Sequence, residues 1–79
     1  MELAQQLTML RRELVTIEFS DGEILEARLL NVDTVEHDDV VLDVKSVLKS
    51  TSGRKYKPNE YYRAAIDTIR SVTRVARSG

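Results

Sequence analysis

The side chains able to do chemistry are few and fall in three short stretches. The single histidine stands in Glu36-His37-Asp38-Asp39, where carboxylates surround an imidazole, a ligand set suited to a divalent cation. Adjacent residues rarely all point at one ion without a dedicated loop, so neither a metal nor another cofactor is expected. One His, no Cys and no nucleophile motif leave little for acid–base or covalent catalysis, and an enzyme is not expected. The second stretch, residues 50–59, reads STSGRKYKPN; it sets Arg54, Lys55 and Lys57 among Gly53 and Pro58 with no apolar period, the composition of a loop. Its cations serve either as a solvated surface or as partners for phosphate. The third is Tyr61-Tyr62-Arg63, aromatics beside a guanidinium. These could stack a base and neutralise a phosphate, or serve as core and subunit contacts.

Charge is divided along the chain. Residues 1–44 hold 3 basic side chains (Arg11, Arg12 and Arg28) against 11 acidic, a balance of −8, and residues 45–79 hold 9 basic against Glu60 and Asp67, a balance of +7. This split implies halves that attract each other, within or between subunits, a basic face for a polyanion, or charges intermixed on a folded surface. Seventy-nine residues make one domain with a thin core, since a chain of this size buries only about 60–65% of its unfolded surface. Oligomerisation would supplement that core. The absence of Cys removes disulfide staples and fits a reducing compartment. No apolar run approaches the roughly 18 residues of a membrane span, and the beginning of the chain, with Glu2, Gln5 and Gln6, is unlike a signal peptide. A cytoplasmic protein without membrane partners is expected.

The elements that must position these groups follow from periodicity. Leu3, Leu7, Leu10 and Leu14 predict an amphipathic helix over residues 2–13, with Arg11 and Arg12 near its C-terminal end and its apolar stripe covering an open end or face of a sheet. Val15, Ile17 and Phe19 alternate with polar residues, Asp21-Gly22 follows, and Ile24 to Val32 resumes an extended run. This is a hairpin with one apolar face, in which Gly22 tolerates positive φ and Asp21 can bond nearby backbone. Val40, Leu42, Val44 and Leu48 predict a third strand to about Lys49, with Val41 and Val47 on its other face. Residues 60–75 read two ways. Tyr62, Ile66, Ile69 and Val72 have near-helical spacing that Asn59 could cap, yet the segment is rich in β-branched residues. Read as strands, it gives Glu60 to Ala64 paired with the third strand, a turn through Ala65 to Asp67, and a fifth strand from Thr68 to Val75.

Helix, hairpin, third strand, variable loop and two short strands is the order of an Sm-like protein, and the residues resemble that family beyond the order. Val15, Ile17, Phe19, Asp21, Gly22, Ile24 or Leu25, Ala27, Leu29, Val32 and Asp33 are similar to the first Sm motif. Leu10-Arg11-Arg12-Glu13 and Tyr62-Arg63-Ala64-Ala65-Ile66-Asp67-Thr68-Ile69 resemble segments of the bacterial Hfq branch. The resemblance implies one Sm-like domain over 1–79: a helix at 2–13, the first motif at 15–49, the variable loop at 50–59 and the second motif at 60–75. The implied fold class is mostly β with an N-terminal α-helix, an SH3-type, strongly bent five-stranded antiparallel barrel. Ala27 stands where the family has a Gly that lets the second strand bend, so curvature must come from a bulge or another position. Thr34 and Val35 occupy the place of the family's base-reading aromatic and polar residues, and Ala64 that of its His or Gly.

The resemblance also implies assembly. Sm-like subunits join the fourth strand of one copy to the fifth of the next, closing a homo-oligomeric ring of about five to seven copies; Tyr61, Tyr62, Ala64, Thr68, Ile69 and Val72 would form that seam. The partner implied is single-stranded nucleic acid, most simply RNA, with DNA open, and a role in RNA processing or regulation. His37 and Arg63 would lie near the pore, Tyr62 would supply an aromatic, Arg54, Lys55 and Lys57 would extend from the variable loop, and Asp33 would anchor the loop after the second strand. Glu36, Asp38 and Asp39 around His37 would repel phosphate. The competing reading is a structural or protein-interaction ring module without nucleic-acid binding.

Overall fold

The computed structural model describes residues 2–57 and 60–76. Pro58 and Asn59, the end of the expected variable loop and the suggested helix cap, lie outside them. The chain forms a short helix α1 (Leu3–Met9) followed by β1 (Leu14–Phe19), β2 (Ile24–Asp33), β3 (Asp39–Lys49), β4 (Tyr61–Ala65), a 3-10 turn at Ile66–Thr68 and β5 (Ile69–Arg74). The strands make one antiparallel sheet in the order β4-β3-β2-β1-β5. The sheet does not close on itself, so in place of the barrel implied by the resemblance the structure has an open five-stranded antiparallel sheet ending on β4 and β5. Among the described residues no helix is long and apolar enough to cross a membrane.

Alternation builds the core as the sequence indicates. Val15 and Ile17 on β1, Leu25, Ala27 and Leu29 on β2, and Val40 and Leu42 on β3 are buried, and Ile69 and Val72 join them from β5. Leu7 of α1 is buried in the same cluster, with Leu3 and Leu10 packed at its side, and the helix rests against β2 and β5. The helix is shorter than the leucine spacing predicts. It ends at Met9, and Arg12 adopts φ 72° while its N–H donates to the carbonyl of Leu29. Leu29 N–H in turn donates to Glu13 O at 3.0 Å, and Arg28 Nη1 to Arg12 O at 3.0 Å. Residues 10–13 are thus bonded to β2, and Arg11 and Arg12 sit on an exposed reversal instead of a helix end.

The β1–β2 turn forms as expected. Gly22 has φ 94°, and Asp21 Oδ1 accepts the Glu23 N–H at 2.9 Å. The β2–β3 ladder shifts register at Ile24/Leu25, Glu26/Ala27 and Leu29/Asn31. Each irregularity bends and twists its strand, and one falls beside Ala27, supplying curvature without the family glycine. These shifts also correct the reading of β3. Ala27 pairs with Val44 and Leu25 with Val47, so the alternation changes phase past Val44: Val47 takes the side of buried Leu25, and Leu48 is 55% exposed.

Residues 61–65 and 69–74 are strands joined by the 3-10 turn, not one helix. β5 explains the ambiguity: its pairing with β1 shifts between Glu18 and Phe19, so Ile17 faces Val72 and Phe19 faces Ile69. The bulge puts two buried residues three apart on a strand, which imitates helical spacing.

Candidate nucleic-acid interface

Asp33, at the end of β2, organises the loop that follows. Its Oδ1 accepts the N–H groups of Val35 and Glu36, both at 3.0 Å, and its Oδ2 lies 2.9 Å from His37 Nδ1. These contacts favour the ionised carboxylate, the Glu36 N–H most, then the His37 ring, then the Val35 N–H, and hold Asp33 well below the usual carboxylate range. Asp33 is therefore the loop anchor that its place in the motif implies. His37 is exposed but turns Nδ1 to this carboxylate, so Nε2 is the ring nitrogen left toward solvent. Val35, where the family places base-reading side chains, is 90% exposed and offers an aliphatic surface with no ring to stack.

β4 brings Arg63 beside this loop. Val41 pairs with Arg63 in the ladder, Ile66 N–H donates to Asp38 O at 2.8 Å, and Arg63 Nη1 lies 3.7 Å from Asp39 Oδ2. Arg63 remains 71% exposed, so its guanidinium is shared between Asp39 and solvent. Arg70 with Glu18 and Arg74 with Glu13, both at 3.9 Å, and Lys45 with Asp43 at 2.8 Å also join the basic and acidic halves. The attraction between halves is realised within one chain, because the strand order sets β5 against β1 and β4 against β3. Among the described residues no group of three or more His, Asp or Glu side chains is placed to hold a metal ion.

The tyrosines divide. Tyr61 is 69% exposed, whereas Tyr62 is engaged within the chain: its hydroxyl accepts the Lys57 N–H at 2.8 Å and donates to Glu60 Oε2 at 3.2 Å, and its ring meets Tyr56 edge to face with centroids 4.7 Å apart. Tyr62 thus fixes the variable loop to β4 and is not an open platform for a base. Arg54, Lys55 and Lys57 are exposed on that loop. Arg54 borders a cleft together with Arg63; Lys55 and Lys57 do not.

The seam candidates separate in the same way. Ile69 and Val72 place their side chains in the chain's own core, and Ala64 packs against it. Thr68 Oγ1 donates to Ala65 O at 2.6 Å, and Thr68 O accepts the Ser20 N–H at 2.8 Å. At the two sheet edges it is backbone, with Tyr61, that is free to meet another chain.

The cleft has a volume of about 620 Å³ and lies between β4, the β1–β2 turn and the variable loop. Two of its residues escaped the sequence reading. Glu23 is 6% exposed; its Oε1 accepts the Tyr56 hydroxyl at 3.0 Å, and its Oε2 is buried with no hydrogen-bond partner among the described residues. Burial, then contact with Glu23, pushes the Tyr56 hydroxyl up from its ordinary pKa. The pair is 33 residues apart in sequence, and the one local signal was a carboxylate immediately after a tight turn in a strand otherwise apolar on that face. No family model, curated protein or solved structure matches this chain.

Proposed function

We propose that the chain is a subunit of an Sm-like homo-oligomeric ring that binds single-stranded nucleic acid, most simply RNA, in RNA processing or regulation. The observation that carries this reading is the strand order: one bent antiparallel sheet ends on β4 at one edge and β5 at the other, the two strands that the family joins between neighbours. Unpaired edges are a standing liability for a small sheet protein, and ring closure removes both at once. Within such a ring, one exposed Arg63 per subunit becomes a circle of guanidiniums, and repetition supplies an affinity that one site lacks. Arg54, Lys55 and Lys57 add cations from the loop, and Tyr61 is the aromatic open for stacking, worth about 1–3 kcal/mol per base.

Light scattering on the purified protein tests the assembly, with a mass of about five to seven subunits expected and a monomer overturning it. Fluorescence anisotropy with short U-rich, A-rich and mixed single strands at low salt tests the ligand. Binding that weakens steeply with added salt is expected. A ring that binds none of these strands at micromolar concentration would instead be a protein-interaction module, a reading favoured by Asp39 beside Arg63 and by Thr34 and Val35 in place of base-reading residues.

A further inference from the structure

We infer that the cleft beside β4 is a receptor for a guanidinium group, with Glu23 as its acceptor. Glu23 is more than nine-tenths buried and, among the described residues, one carboxylate oxygen has no partner. A buried carboxylate is costly unless each oxygen meets a donor, and a cationic donor meets that need best. The other oxygen is held by the Tyr56 hydroxyl, so the carboxylate is fixed in orientation. Tyr56 and Tyr62, in edge-to-face contact at the wall of the cleft, add aromatic surface of the kind that attracts a planar delocalised cation. Phe19, Leu25, Leu42 and Ala64 supply apolar lining for an alkyl stem.

The lining carries one more carboxylate than guanidinium, and Arg54 of the chain itself lies beside Tyr56 and Asp21. The lining includes the carboxylates of Asp21, Glu23 and Asp67 against the guanidiniums of Arg54 and Arg63, and Arg63 is drawn toward Asp39 on the adjacent strand. The volume, within the roughly 300–1,000 Å³ of ordinary ligand sites, exceeds what one water needs and suits an arginine-like side chain. The guanidinium belongs either to a free small molecule such as arginine or agmatine, or to an arginine side chain of a second copy of this chain. The inference does not depend on nucleic-acid binding.

The test is titration of the intact protein with agmatine, followed by NMR of its backbone and tyrosine resonances, with butylamine and sodium chloride as controls. Saturable shifts centred on Glu23, Tyr56 and Tyr62 are expected, at least tenfold weaker for butylamine and absent for salt. Glu23→Gln, which keeps the side-chain shape, should weaken agmatine at least tenfold while circular dichroism stays unchanged. If Glu23→Gln perturbs folding, agmatine must still protect the native cleft of the unaltered protein from hydrogen exchange. A fall in assembly mass on adding agmatine assigns the guanidinium to a second copy, and binding at constant mass assigns it to a free ligand. No shift at tens of millimolar agmatine, or equal binding by Glu23→Gln, would overturn the proposal.

Discussion

At the scale of single residues, two carboxylates do most of the local organising. Asp33 binds two backbone N–H groups and the His37 ring, and all three favour its charged form. Because its pKa is lowered by folding, the stabilisation is fully present above the ordinary carboxylate range and is lost as pH falls below about 4 toward the depressed folded value. Protection of the Val35, Glu36 and His37 amides, taken relative to their intrinsic exchange rates at each pH, should therefore fall below that pH, and Asp33→Ala should show the lower protection already at neutral pH. Glu23 behaves differently because it is buried. Tyr56→Phe keeps the ring contact with Tyr62 but removes the donor to Oε1, so that neither Glu23 oxygen has a side-chain donor among the described residues. A loss of about 1–3 kcal/mol in urea unfolding is expected. The raised Tyr56 pKa gives the opposite pH sign to Asp33: its contribution is complete below the ordinary tyrosine value and is lost as pH rises above about 10.

At the scale of elements, the β1–β2 hairpin and the bulges in the β2–β3 and β1–β5 ladders that flank it set the shape. Gly22 has φ 94°, and a Cβ built there would meet Thr51 Cγ2 at 3.7 Å, an ordinary contact. The cost of Gly22→Ala is thus conformational, about 1–2 kcal/mol, and should appear in urea unfolding with an unchanged m-value. The bulges explain why parts of the fold were hard to read. Lys45 and Arg70 are extra residues on β3 and β5, skipped by the ladder pairings, and each shifts the inward phase. Before Lys45, Val40, Leu42 and Val44 alternate as a strand should; after it, Leu48 becomes exposed. Across Arg70, Ile69 and Val72 are buried three apart. Periodicity assumes a constant repeat, and the curvature of this sheet depends on breaking it.

At the scale of the whole molecule, the segregated charges become cross-strand pairs, Arg63–Asp39, Arg70–Glu18 and Arg74–Glu13. The three arginines are exposed and the pairs are 3.7–3.9 Å long, so each contributes at most about 1 kcal/mol. This makes Arg63→Ala a clean probe. It should change unfolding by less than about 1 kcal/mol and leave the assembly mass intact while weakening single-strand binding, read by anisotropy across a salt series; unchanged affinity would remove Arg63 from the site.

The sequence by itself determined the β1–β2 hairpin with its Asp21-Gly22 turn, the third strand and most of the core, since these follow from alternation and turn chemistry, while it left residues 60–75 open between a helix and two strands. It offered His37 and Arg63 as candidate nucleic-acid contacts, and the structure shows both side chains exposed. Only the tertiary structure decided that Tyr62 is occupied with Tyr56 and Lys57, that α1 stops before Arg12, and that Glu23 lies buried beside Tyr56. Those outcomes depend on side chains and backbone brought together from distant parts of the chain, and a local pattern carries no information about which distant donor will arrive.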